Sequence, residues 1–138
     1  MPVIFPMHPR TQKMPETFGI TPRGISMVPP AGYPGFPGLE AGARLVLTDS
    51  GGVQEEACIL NVPCVTLREN TERPETISVG ANVLAGTDSQ QIVSAADAML
   101  SSSRQWQNPF GDGHAGERIV GICEKGTGSC KRTTLNGG

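Results

Sequence analysis

An apolar run, Leu45-Val46-Leu47-Thr48, stops at Asp49 and passes through Ser50-Gly51-Gly52 directly into an amphipathic segment at residues 53–60. A buried strand that turns without a spacer into a helix is the repeating half-unit of an open α/β sheet. The same alternation recurs along the chain. Val3-Ile4-Phe5 closed by Pro6, Ile25-Ser26-Met27-Val28, Pro63-Cys64-Val65-Thr66-Leu67 and Asn82-Val83-Leu84 read as further strands. Helical spacing predicts helices at residues 11–18 capped by Gly19, at 39–43, at 74–79, from Thr87 or Asp88 through Leu100, and from Gly113 or His114 through Cys123. Short apolar strands alternating with helices predict an α/β fold, a Rossmann-like open parallel sheet with flanking helices and right-handed crossovers.

At 138 residues, with 37% hydrophobic and 17% charged residues, the chain suits one globular domain. We place that domain at residues 1–123 and expect a disordered tail at 124–138, where Gly, Thr and Ser dominate and Leu135 is the lone apolar side chain after residue 124. The abrupt opening strand predicts that the first strand and helix of the domain are missing. A net charge of −2 without a dense Lys/Arg run supplies no cationic field, so nucleic acid is not an expected partner. No apolar run approaches the roughly 20 residues that span a bilayer, and no signal-peptide pattern opens the chain, so the expectation is a cytoplasmic protein without a membrane partner. Cys58, Cys64, Cys123 and Cys130 lack CxxC spacing and a histidine at ligand spacing. No metal or cofactor is therefore expected, and Cys58 and Cys64 read as small buried hydrophobes.

The chemistry concentrates at Thr48-Asp49-Ser50-Gly51-Gly52-Val53-Gln54-Glu55-Glu56. The first amides of a helix lack intrahelical partners, the helix dipole adds positive character, and glycine admits a pyrophosphate close to the backbone. Ser50 can add a hydroxyl donor. Glu56 lies one to two turns in, where a carboxylate can accept the two hydroxyls of a ribose. A plain tight turn followed by a polar helical surface would use the same residue types. Glu55 and Glu56, being adjacent on a helix, point about 100° apart and cannot face each other as an acid/base pair. His8 and Arg10 follow the first strand at its carboxyl end, where phosphate or sugar contact is plausible. Arg68, Glu72, Arg73 and Glu75 read as a salt-bridged loop bracing the sheet edge, Asp112 as the cap of the last helix, and Trp106 as packing.

Four blocks in fixed order carry a resemblance: FPMHPRT at 5–11, TDSGGVQEEA at 48–57, PCVTLRENTERPE at 63–75 and NPFGDG at 108–113. Over residues 2–122 the chain resembles the carboxy-terminal domain of the non-hydrolysing UDP-N-acetylglucosamine 2-epimerases. The resemblance implies the second of two Rossmann-like domains of the glycosyltransferase-B/epimerase architecture, with the ligand held between them. It assigns Ser50, Gly51 and Gly52 to the diphosphate, Glu56 to the ribose and Phe36, through its main chain, to the uracil.

In that family the proton at carbon 2 is removed while UDP leaves carbon 1, and UDP then adds back to give the other configuration. The resemblance places the acid/base carboxylates on the amino-terminal domain and a further histidine on a strand that would precede Met1. The chain is thus expected to bind UDP or a UDP-N-acetylhexosamine, to need a separately encoded amino-terminal domain for turnover, and to self-associate through its exposed half-interface. A stand-alone nucleotide-sugar binding module and a glycosyltransferase half-domain are the alternatives; the N-T-E-R-P-E string argues against the second.

Overall fold

The structure, a computed structural model, describes residues 1–8, 11, 17–32 and 35–127. Among the described residues the elements run β1 Val3–Pro6, β2 Ile25–Val28, α1 Phe36–Ala41, β3 Val46–Thr48, α2 Gly51–Ile59, β4 Cys64–Thr66, α3 Pro74–Ser78, β5 Asn82–Leu84, α4 Ser89–Ser101 and α5 Ala115–Thr127. The helix expected at residues 11–18 falls mostly outside the described residues, although Gly19 does take the positive φ (61°) of a helix-ending glycine.

All strand pairing is parallel, as the apolar runs predict, but the strands form two sheets rather than one. β1 pairs with β2 in register from Val3–Ile25 to Pro6–Val28. β3, β4 and β5 form the second sheet, with Leu47, Val65 and Val83 in one row. A doubly wound sheet has the strand order 3-2-1-4-5-6. Numbering β1 to β5 as strands 2 to 6 of such a sheet makes the observed pieces 3-2 and 4-5-6.

The core belongs to the three-stranded sheet. Successive side chains of a strand point to opposite faces. On β4, Cys64 packs with Ala57 and Val62 on the α2 side, while Val65 packs with Ala85 and Met99 on the α4 side. Covered on both faces, β4 is buried throughout. Burial pushes the Cys64 thiol up to about 12 and raises Cys58 as well, as befits cysteines packed as apolar side chains.

Local signals place the helices. Asp88 Oδ1 accepts the amides of Gln90 and Gln91 at 3.0 Å each and starts α4. Asn61, at φ 56°, ends the chain leaving α2, and Val62 N then donates to Ala57 O at 2.9 Å. Asp112 accepts the His114 amide and pairs with Arg118 at the foot of α5, and both interactions hold its carboxyl below the ordinary range. α5 continues to Thr127, past the expected start of the tail, and residues 128–138 are outside the described set. Among the described residues no helix is long and apolar enough to cross a membrane.

Candidate functional site

The junction of β3 and α2 forms the tip of the site. Ser50 is the N-cap residue, extended at φ −90° and ψ 126°, and Gly51 and Gly52 occupy the first turn of the helix rather than a loop before it. Ser50 N donates to Thr48 Oγ1 at 3.1 Å, and the first intrahelical bond is Gln54 N to Ser50 O at 3.1 Å. The amides of Gly51, Gly52 and Val53 are thus the helix's open donors, pointing along the dipole beside exposed Ser50. The Ser50 hydroxyl caps none of them.

Folding does not require glycine at these two positions. Neither has a positive φ, and a Cβ on Gly51 would meet only Arg73 carbons, at 3.9 and 4.0 Å, while one on Gly52 would meet Ser50 Oγ at 3.9 Å. Those are ordinary contacts. Glycine within a helix is less favourable than alanine by roughly 0.5–1 kcal/mol. Gly86 is the contrast: its φ of +63° is a left-handed backbone that favours glycine, and a Cβ there would also displace the Glu69 carboxylate.

Behind the tip, Glu55 and Glu56 diverge as helix geometry predicts. Glu55 forms an ion pair with Arg73 Nε at 2.9 Å, with both side chains about one-third exposed. Half-buried Glu56 turns toward α1, which packs on α2, and there meets Glu40. Glu40 is only 4% exposed. Burial, and then the adjacent Glu56 charge, raise its carboxyl to about 7. Sequence reasoning dismissed a carboxylate pair within α2 and missed this one between two helices. The available signal was that Glu40 is the one charged residue between Arg23 and Arg44.

A second feature escaped the sequence. Gln54, in the middle of the glycine-rich block, is buried and joins a polar cluster under the site. Its Oε1 accepts from Thr71 Oγ1 and from Asn82 Nδ2. Asn82 also donates to Thr76 Oγ1 at 3.1 Å and accepts from Thr66 Oγ1 at 2.9 Å. Thr71 Oγ1 in turn accepts the Arg73 amide at 2.9 Å. The N-T-E-R-P-E loop is therefore fastened from beneath to α2, and the Arg73 stem is laid beside Gly51. The expected bracing by charge exists as Arg73–Glu55, but buried hydrogen bonds do more of the fastening, since partly exposed ion pairs contribute little.

Phe36 opens α1, half-buried, its amide donating to Gly32 O at 3.1 Å; this helix starts before the expected residue 39. Ser50, Gly51, Gly52, Glu56 and Phe36 thus share two packed helices. His8 lies two residues past the carboxyl end of β1, exposed, with its carbonyl accepting the Thr11 amide at 2.8 Å. Arg10 lies outside the described residues. Trp106 is packing, as expected, donating Nε1–H to Cys58 O at 2.9 Å. Two open grooves of about 560 and 540 Å³ run along α4 and include none of these residues. The α2 tip itself opens to solvent, with Ser50 and Gly52 exposed.

A sequence profile of UDP-N-acetylglucosamine 2-epimerases matches residues 1–124. The chain is 56% identical over 125 residues to the UDP-N-acetylglucosamine 2-epimerase of Methanococcus maripaludis, covering 87% of this chain and 34% of that protein. The structure of UDP-GlcNAc 2-epimerase from Methanocaldococcus jannaschii superposes with a TM-score of 0.80 at 52% identity, over 88% of this chain and 35% of that one. That enzyme has also been solved in complex with UDP-GlcNAc and UDP. The Neisseria meningitidis UDP-GlcNAc 2-epimerase bound to UDP-GlcNAc gives a TM-score of 0.70 at 30% identity, over 88% and 36% of the two chains. The chain spans about a third of the length of these relatives.

Proposed function

We propose, from the premise that the chain belongs to the UDP-N-acetylglucosamine 2-epimerase family, that it is the UDP-binding half of an enzyme interconverting UDP-N-acetylglucosamine and UDP-N-acetylmannosamine. The observation that carries this reading is the pair of glycines at the tip of α2. They sit where the fold would accept alanine and where a close-approaching diphosphate would not. Ser50, Gly51 and Gly52 hold the diphosphate, Glu56 accepts the ribose hydroxyls, and the Phe36 main chain meets the uracil from the neighbouring helix. His8 and Arg10 contact phosphate or sugar from the carboxyl end of β1. As UDP departs from carbon 1, the oriented amides stabilise the charge that builds on it.

The residues that exchange the proton at carbon 2 are not on these helices. A facing amino-terminal domain supplies them, and polypeptide beyond these 138 residues supplies the strand between β1 and β3. The two-part sheet supports that division, because pieces ordered 3-2 and 4-5-6 leave one central place. Exposed Val3, Ile4 and Phe5 would be covered once it is filled, and self-association is the expected behaviour while it is not. We place the reaction in the cytoplasm, upstream of polysaccharide assembly.

Calorimetric titration of the chain with UDP tests the binding half, with Glu56→Ala as the control. Micromolar binding weakened at least about tenfold by the substitution is expected, the loss of one charge-assisted contact. Binding indifferent to it, or no binding, overturns the assignment. Addition of an amino-terminal domain should then yield UDP-N-acetylmannosamine, and turnover by the 138-residue chain alone would refute the division of labour.

A further inference from the structure

Glu40 has no place in the site as assigned, yet its surroundings are unusual. It is buried at the contact of α1 with α2, and among the described residues no donor reaches either of its carboxylate oxygens and no ion pair compensates it. The charged group that acts on it is the Glu56 carboxylate from α2, and the buried Cys64 thiol on β4 in turn feels the Glu40 charge. A carboxylate facing another carboxylate offers acceptors on both sides, so a hydrogen bond forms only when one of the two carries a proton. The more buried group is the one to carry it, because an isolated buried charge neutralises rather than persists.

We propose that Glu40 is a positioning residue for the nucleotide site: its protonated carboxyl donates to Glu56, closes α1 against α2, and leaves the remaining lone pairs of Glu56 aimed at the ribose. Ionisation of Glu40 breaks that bond and sets two negative groups against each other at a helix contact. Phe36 rides on the same short helix, so the uracil side of the site loosens together with the ribose side. Nucleotide affinity therefore falls as pH rises through neutrality. The carboxyl held at about 7 agrees with this. Glu40 has this role only if Glu56 is the ribose-binding acid proposed above.

UDP-N-acetylglucosamine is the suitable probe, because its substituted diphosphate has no ionisation near neutrality. With the competent fraction set by one proton, the apparent affinity of the native chain should drop about tenfold between pH 6 and pH 8. Glu40→Gln keeps a neutral donor and should hold its affinity within about twofold over that range. A purely structural role would leave nucleotide affinity with the same pH profile in both chains, although their stability profiles would differ. A second readout needs no ligand. Below 4.5, the ordinary glutamate value, Glu40 is protonated folded or unfolded. Above it the unfolded chain loses the proton first while the folded chain holds it to about 7, so stability falls across that window and then levels off.

The native Tm should thus fall between pH 5 and pH 8 by at least about 5 °C more than that of Glu40→Gln. Glu56→Gln, which supplies a permanent donor to Glu40, should also flatten the curve and serves if Glu40→Gln does not fold. If no nucleotide binds at any pH, the assignment of Glu56 falls while the unfolding curves still report the carboxyl pair. Coinciding pH profiles for native and glutamine chains, in affinity or in Tm, would overturn the role of Glu40.

Discussion

The two sheets contain strands of the same kind in opposite circumstances. β1 and β4 are both short, apolar and parallel, yet Val65 on β4 is fully buried while Val3, Ile4 and Phe5 on β1 are 42%, 51% and 42% exposed. β4 has a strand on each side and helices on both faces, whereas among the described residues β1 has one strand partner. Apolar composition makes a strand able to be buried; its neighbours decide whether it is. The half with neighbours also holds the α2 tip, where a rigid base would keep the open amides aimed at the proposed diphosphate.

Substitution to aspartate separates the halves most strongly. Val65→Asp should abolish cooperative unfolding of the chain at 25 °C, a loss exceeding about 4 kcal/mol, while Ile4→Asp should change denaturant stability by under about 1 kcal/mol. Equal losses would show that β1 is as well supported as β4. Asn82→Ala comes next, since it strands Gln54, Thr66 and Thr76 in a buried cluster. About 2–3 kcal/mol of stability should go, measured by urea unfolding, and nucleotide affinity should weaken as the loop around Arg73 loosens.

Glycines sharpen the contrast between folding and binding within the well-packed half. Gly51→Ala should leave stability unchanged or raise it by up to about 1 kcal/mol, yet weaken UDP binding at least about tenfold. Gly86→Ala should lower stability by about 1–2 kcal/mol through its left-handed backbone and the nearby Glu69. Unfolding and titration of both variants read the difference. Asp112→Ala at exposed α5 is the smallest effect, a Tm change under about 2 °C. Because its folded carboxyl titrates below the ordinary 3.8, the contribution of its contacts with Arg118 and the His114 amide is present above that value and disappears as pH falls through the lower one. Faster amide exchange at His114 in acid would record the loss.

Much of this molecule was legible one segment at a time. The strands at Ile25–Val28 and Asn82–Leu84, the Asp88 cap and the helix following Ser50 all follow from local pattern, because backbone geometry, caps and turns are set by residues a few positions apart. The glycine-rich tip was legible for the same reason: a donor set at a helix start needs no distant partner.

Pairing across the fold was not. Nothing in the spacing of Gln54, Thr71 and Asn82 reveals that they meet, and Glu40 and Glu56 become neighbours only because α1 docks on α2. The sequence by itself determined which segments are strands and helices and where an anion could be gripped. Tertiary structure alone decided that the strands divide into two sheets and that a buried acid faces the one proposed to hold the ribose. Burial and charge proximity are properties of distances through space, and those exist only once the chain has packed.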